Sequence, residues 1–397
     1  MGVDVMKEND AKTENKDIIS RIIQRRKDSE TDLALFLEGM QESFEFYKSK
    51  QYDPKVERVL KARGLPYHVI NICKEVVNTM SGFQRQNRTE PVVNPIEGTD
   101  ERIAEVMGRT VKWSLELKNN NNVPCMSFKD KSIGGLGVVF TYIDFSEDPV
   151  NGDIRLKHLS PFDVKFDPTL KEMDLSDCRY IIYEGRLEKE DLKRRFKEHK
   201  DKINDMEPSD TVANFSGETR TTNKKDRGLR VTEHWYRELF DEECYMDDET
   251  GDIVVFDGDE DEKAAFLENK KVEFFTRTKK KIKLQIVIED KLLVYDDDNP
   301  YGIDYYPFSF DFGYYDPAVD EWELKLCGDV DRSLKDVNRE KNKRRSQMSA
   351  IVAKMPHNGF YVEEGSVDDE NKLEKSGGVA KIIHYRRGFQ RPQQIEP

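Results

Sequence analysis

Between Asp329 and Pro356 the sequence "VDRSLKDVNREKNKRRSQMSAIVAKM" runs for 26 residues without a glycine or a proline. Nothing in it interrupts a helix; Asp329 is suited to cap the start, and Pro356, which lacks an N–H and clashes with the preceding turn, ends it. The stretch predicts one rod of roughly 39 Å. Val330, Leu334, Val337, Lys341, Arg344, Met348, Ile351 and Met355 follow one another at alternating steps of four and three. That is a heptad seam, made to lie against another helix, but Lys341 and Arg344 occupy its central turn.

Burying two unpaired cations costs several kcal/mol each, in rough terms, so these side chains must meet acids, phosphates or water. Eight basic residues of the rod, Arg339, Lys341, Lys343, Arg344 and Arg345 clustered among them, face three acids, a local charge of +5. Two readings stay open: an exposed basic helix paired with acidic domains, or rods standing side by side with basic turns toward a polyanion. The second needs only Lys and Arg near phosphates and weakens steeply with salt. No helix-turn-helix, zinc-finger or RNA-binding signature accompanies it.

The rest of the chain carries the opposite sign. Residues 331–397 hold 14 Lys and Arg against 10 Asp and Glu, whereas the whole chain is −14, which leaves −18 on residues 1–330. The acidic bulk and the basic end are expected to face different partners. No window of 18 uncharged apolar residues occurs, so no membrane partner is expected.

The polar residues 1–15 are expected to be disordered. Apolar spacing then predicts helices over 16–120, among them one from about His68 that stops at Gly82 and one behind Asp100 that ends in the Asn run. From residue 121 the period changes to two. "GGLGVVFTYIDF" and "NGDIRLKHLSPFDVKFDP" flank a "DPVNGD" turn and predict an antiparallel hairpin, with β-rich stretches over 121–185 and 229–312. A short helix follows at about 188–203, and the polar run 206–228 reads as a loop or insertion. The expected class is α+β.

Catalytic motifs are missing. Gly134, Gly135 and Gly137 lead into a strand instead of opening a helix, so they do not form a phosphate loop. Asp257, Asp259, Asp261 and Glu268 sit at calcium-loop positions, yet Glu262 stands where the sharp turn requires glycine. Six histidines and five scattered cysteines show no metal-ligand or disulfide spacing. The chain is expected to be no enzyme and to use no cofactor or metal.

Taken in order, "FYKSKQYDP", "HVINICKEVVNTMSGFQRQNRTEPVVNP", "FKDKSIGGLGVVFTYIDF", "GDIRLKHLSPFDVKFDP", "DLSDCRYII", "NPYGIDYYPFSF" and "CGDVDRSLKDVNREKNKRRSQMSAIVAKMP" resemble the portal proteins of P22-like short-tailed bacteriophages. The resemblance covers about residues 30–395. It implies a ring, a dodecamer, at one capsid vertex of the virion, through which double-stranded DNA is packaged and ejected. It implies a wing body over 16–328, a stem helix over 329–355 and the start of a small α/β clip over 356–397. The implied partners are further copies of the chain, double-stranded DNA, the terminase large subunit, capsid or scaffolding protein, and tail or adaptor proteins, after synthesis in the host cytoplasm. The same resemblance implies a second stem helix, a tunnel loop and a C-terminal crown, a C-terminal part that this sequence, ending at Pro397, is expected to lack. Val330, Leu334, Val337, Met348, Ile351 and Met355 would pack the stem, and the basic cluster would form a belt toward DNA or a neighbouring subunit. The rival readings are a nucleic-acid-associated adaptor or scaffold without a ring, and a metal-dependent nuclease using Asp257 and Asp259.

Overall fold

A computed structural model describes residues 2–88, 91–96, 100–208, 228–246, 253–256 and 274–354, plus a few positions beyond, with side chains from residue 15 onward. The helices are α1 (Gly2–Asp32), α2 (Ala34–Tyr47), α3 (Pro54–Ala62), α4 (Ile72–Gln86), α5 (Glu101–Glu116) and α6 (Val123–Gly134). Strands β1 (Leu136–Asp144), β2 (Asp153–Leu159), β3 (Val164–Phe166) and β4 (Tyr180–Leu187) lead to two short helices, α7 (Lys189–Arg195) and α8 (Lys200–Asn204). Then come β5 (Leu229–Met246), β6 (Ile253–Val255), β7 (Phe274–Ile288), β8 (Leu292–Asp298), β9 (Phe308–Phe312), β10 (Tyr314–Tyr315), α9 (Trp322–Lys325) and β11 (Leu326–Cys327). A π-helical turn, Val330–Leu334, precedes α10 (Lys335–Lys354), and β12 (Phe360–Tyr361) pairs with β13 (Gln393–Gln394). The architecture is α+β, with every strand pairing antiparallel.

The chain divides into two compact units: residues 1–48 with 73–334, and residues 49–72 with 335–397. In the first, one sheet has the order β2-β1-β9 and a larger one the order β3-β4-β5-β7-β8, with β6 beside β5. Their facing sides and α2 enclose a core that includes Phe36, Met40, Val138, Phe166, Trp235, Leu284, Phe308 and Trp322. Side chains of this size contribute about 1.5–3 kcal/mol each on burial. The turn from α6 into β1 requires glycine at 135, where φ is +93° and a Cβ would stand 2.9 Å from the carbonyl carbon of Cys327.

The back half of α1 is clamped on the large sheet by charge. Arg26 pairs with Glu184 at 2.9 Å and with Asp290 at 2.7 Å, while Arg25 lies over the Tyr180 ring and reaches Nε2 of His234 at 3.0 Å. His234 is fully buried. Its Nδ1–H donates to Gln285 Oε1 at 3.0 Å, whose amide donates to Asp296 at 2.9 Å, so only the neutral ring with Nε2 as acceptor satisfies both neighbours.

Several expectations are corrected. The N-terminus is helical from Gly2, consistent with a run that contains Lys and Glu and holds no proline. Helix α4 begins at Ile72, not His68, and runs through Gly82, where an isolated glycine costs only about 1 kcal/mol. Residues 123–134, placed in a β-rich stretch, form α6, which is buried along much of its length and so lacks a clear amphipathic period. Within the β-rich stretch 229–312, β5 and β7 form one long ribbon with cross-strand charges such as Lys283–Glu238 at 2.6 Å. The calcium-loop positions 257–268 and Met355 lie outside the described residues.

Burial, and next to it the Arg25 charge, pushes the His234 pKa down to about 3. An unfolded chain, with a histidine pKa near 6.5, therefore binds a proton that the fold refuses as pH falls below that value. Stability should drop by about 1.5 kcal/mol between pH 6.5 and 5 from this residue. In denaturant titrations across that range, the His234→Gln protein is expected to show a shallower pH dependence than the parent.

Candidate functional site

The second unit is built around α10, and its buried face is polar. Asn338 and Asn342 are almost fully buried, as is most of Ser346, at steps of four that place all three in one row. An extended segment, 65–71, lies along this row. The N–H groups of His68, Ile70 and Ile72 donate to Ser346 Oγ (2.9 Å), Asn342 Oδ1 (2.9 Å) and Asn338 Oδ1 (3.1 Å), in antiparallel order. Both asparagine amides then donate to Oε1 of Gln51, Asn342 at 2.5 Å, using both lone pairs of that oxygen. Tyr52 and Ser349 extend the row, through Ser346 (3.2 Å) and the His68 ring (2.9 Å). Because these backbone donors are taken, residues 68–71 stay extended instead of starting α4.

Every member of the basic cluster, Arg339, Lys341, Lys343, Arg344 and Arg345, is exposed. Arg339 pairs with Asp336 at 3.1 Å and Arg344 with Glu340 at 2.5 Å. Among the described residues Lys341 and Lys343 have no carboxylate partner. Exposed pairs of this kind contribute at most about 1 kcal/mol, so the cluster keeps most of its field.

The heptad seam divides in two. Val330 is buried, and Leu334 partly so, against Phe46, Cys73, Val77 and Ile133 of the first unit. Val337, Met348 and Ile351 are 65%, 57% and 59% exposed, on the side of α10 away from the amide row. Lys341 and Arg344 stand in the same open stripe. The seam is therefore not consumed along its length within one chain.

Beside the amide row, a cavity of about 440 Å³ lies between α3 and α10, floored by Val56, Leu60, Leu65 and Pro66 and walled by Arg339 and Lys343. Asp53 fixes its rim by capping α3 through the N–H of Lys55 at 2.7 Å. No group of His, Cys, Asp and Glu fit to hold a metal occurs among the described residues. No helix described is long and apolar enough to cross a membrane. Gln51 and the Asn338–Asn342–Ser346 row were not singled out from the sequence; their one signal is an uncharged polar row, four residues apart, in a helix otherwise crowded with charge.

Comparison with known proteins places the chain in a class by its sequence. The profile of the phage P22-like portal protein family matches residues 29–396. The chain belongs to that family of bacteriophage portal proteins. A portal protein of Helicobacter pylori bacteriophage KHP30 is 22% identical over 138 residues, 35% of this chain and 23% of that protein's length.

Removing one member of the amide row strands its partners. In the Asn342→Ala protein the N–H of Ile70 loses its acceptor and Gln51 loses a donor, a local cost of about 2 kcal/mol. Hydrogen exchange at Ile70 should accelerate by roughly 30-fold. Lys341→Gln, which changes only an exposed side chain, is expected to leave that rate within about twofold.

Proposed function

We propose that this chain is a structural subunit of a ring, a dodecamer in the family pattern, set at one capsid vertex of the virion as the channel for packaging and ejecting double-stranded DNA. Family membership supports the portal role. The observation that carries the finer reading is the open stripe of α10: apolar Val337, Met348 and Ile351 flank Lys341 and Arg344, and the opposite face is already satisfied by amides. In the ring, α10 acts as the first stem helix and its stripe packs on the neighbouring subunit. The unpaired lysines then form a belt that meets phosphates or acidic residues of the next copy. The first unit supplies the wing, and residues 356–397 begin the clip, where the terminase large subunit and later tail or adaptor proteins dock; capsid or scaffolding protein surrounds the wing. The role is mechanical, not catalytic, and needs no cofactor.

Negative-stain images of the full protein are expected to show rings with a central hole; monomers or dimers at high concentration would favour an adaptor without a ring. In the Lys341→Glu, Arg344→Glu double variant, monomer unfolding should shift by less than about 1 kcal/mol, since both side chains are exposed. Ring yield or DNA packaging should fall at least tenfold. Unchanged assembly and packaging would remove the belt from this account.

A further inference from the structure

The α3–α10 cavity combines an apolar floor with a cationic wall, in which Lys343 has no carboxylate partner among the described residues. Such a site fits an apolar side chain carried on an acidic backbone segment, because the anchor displaces water from the floor while the acids meet the wall. The chain itself presents a segment of this chemistry. At the β1–β2 turn Phe145, Val150 and Ile154 are 52%, 82% and 52% exposed; Glu147 and Asp148 lie between Phe145 and Val150 in the sequence, while Asp144 and Asp153 pair with Arg155.

The turn is firmly built. Asp148 Oδ1 accepts from the N–H groups of Val150 (3.0 Å) and Asn151 (3.2 Å), and its carbonyl accepts from Gly152 (3.0 Å). Gly152 takes φ +70°, where a Cβ would overlap Ile143. A preformed knob loses little conformational freedom on docking.

We infer that the β1–β2 turn of one copy inserts Val150 into the α3–α10 cavity of the next copy, with Glu147 and Asp148 on the side of Arg339 and Lys343. The two surfaces differ, so the contact is head-to-tail, and repetition closes a ring or runs on as a filament. This inference rests on the self-associating portal reading and names two faces that meet.

The test uses the full chain with Cys327→Ser, since the other four cysteines are buried. Val150→Cys is combined with Gln347→Cys, a cavity-lining position, and the protein is oxidised. A ladder of covalent multimers is expected from the double variant, and only dimers from a mixture of the two single variants. Rings or other oligomers that persist by light scattering without covalent bands would overturn the contact and leave the portal reading standing. A protein that stays monomeric at every concentration would overturn both. Independently, Lys343→Glu should weaken assembly at least tenfold, and Glu147→Lys should restore it in that background; failure of the rescue, with each variant folded by circular dichroism, counts against the pairing.

Discussion

The placement of the basic helix depends on a match between two repeats. Alternate residues of an extended strand are about 6.6–6.8 Å apart, and residues four apart on a helix rise about 6.0 Å. Over three contacts the mismatch stays near 1–2 Å, within reach of side-chain adjustment. Hence the N–H groups of His68, Ile70 and Ile72 find Ser346, Asn342 and Asn338 in turn. Sliding the strand by one residue would turn carbonyls toward asparagine oxygens, so the register is fixed by polarity, not by shape.

Using hydrogen bonds for one face of α10 leaves its apolar residues available for another. Had the helix been anchored by Val337, Met348 and Ile351, these would not stand 57–65% exposed and no stripe would remain for a neighbour. Their exposure in a single chain is costly, and it becomes favourable when a second surface covers them. The charges follow a similar logic. Asp336 and Glu340 occupy only two of the cations, Arg339 and Arg344, and the pairs lie in water where screening is strong. Among the described residues Lys341, Lys343 and Arg345 are left without a carboxylate partner.

What could be read from the sequence was local or periodic. The β1–β2 hairpin was visible because "DPVNGD" carries its own turn chemistry, and the structure pairs Asp144 with Asp153 across it. The long helix was visible because no glycine or proline breaks it, although its first turn, Val330–Leu334, is π-helical and the α-helix starts at Lys335; the exposure of its basic cluster followed from the cost of burying cations. The heptad pattern was less informative, since periodicity records which residues share a face but not what covers them: Val330 joined the first unit's core while Met348 did not. The amide row escaped notice because Asn and Ser have weak helix preferences and no hydrophobic signal; its partner, Gln51, lies 287 residues from Asn338. Pairings at such range are set by tertiary structure alone. The clamp of Arg25 on His234, 209 residues apart, was hidden for the same reason.

The proposed channel for a polyanion would face opposing demands, and the chemistry of α10 bears on both. Each phosphate neutralised adds to affinity and to salt sensitivity, so a ring contributing even one or two firm contacts per copy would hold DNA too tightly to let it pass. Lysine ammoniums, strongly hydrated and without the planar fork of arginine, exchange partners along a backbone with little geometric preference. In this helix the arginines at 339 and 344 are held by carboxylates, whereas Lys341, Lys343 and Arg345 have no carboxylate partner among the described residues. In the proposed channel, partial neutralisation would lower the field while keeping a positive surface, and the −18 charge on residues 1–330 would repel DNA from the rest of the body. Under the proposed portal reading, a belt of this composition would guide DNA by charge without gripping it, as a conduit requires.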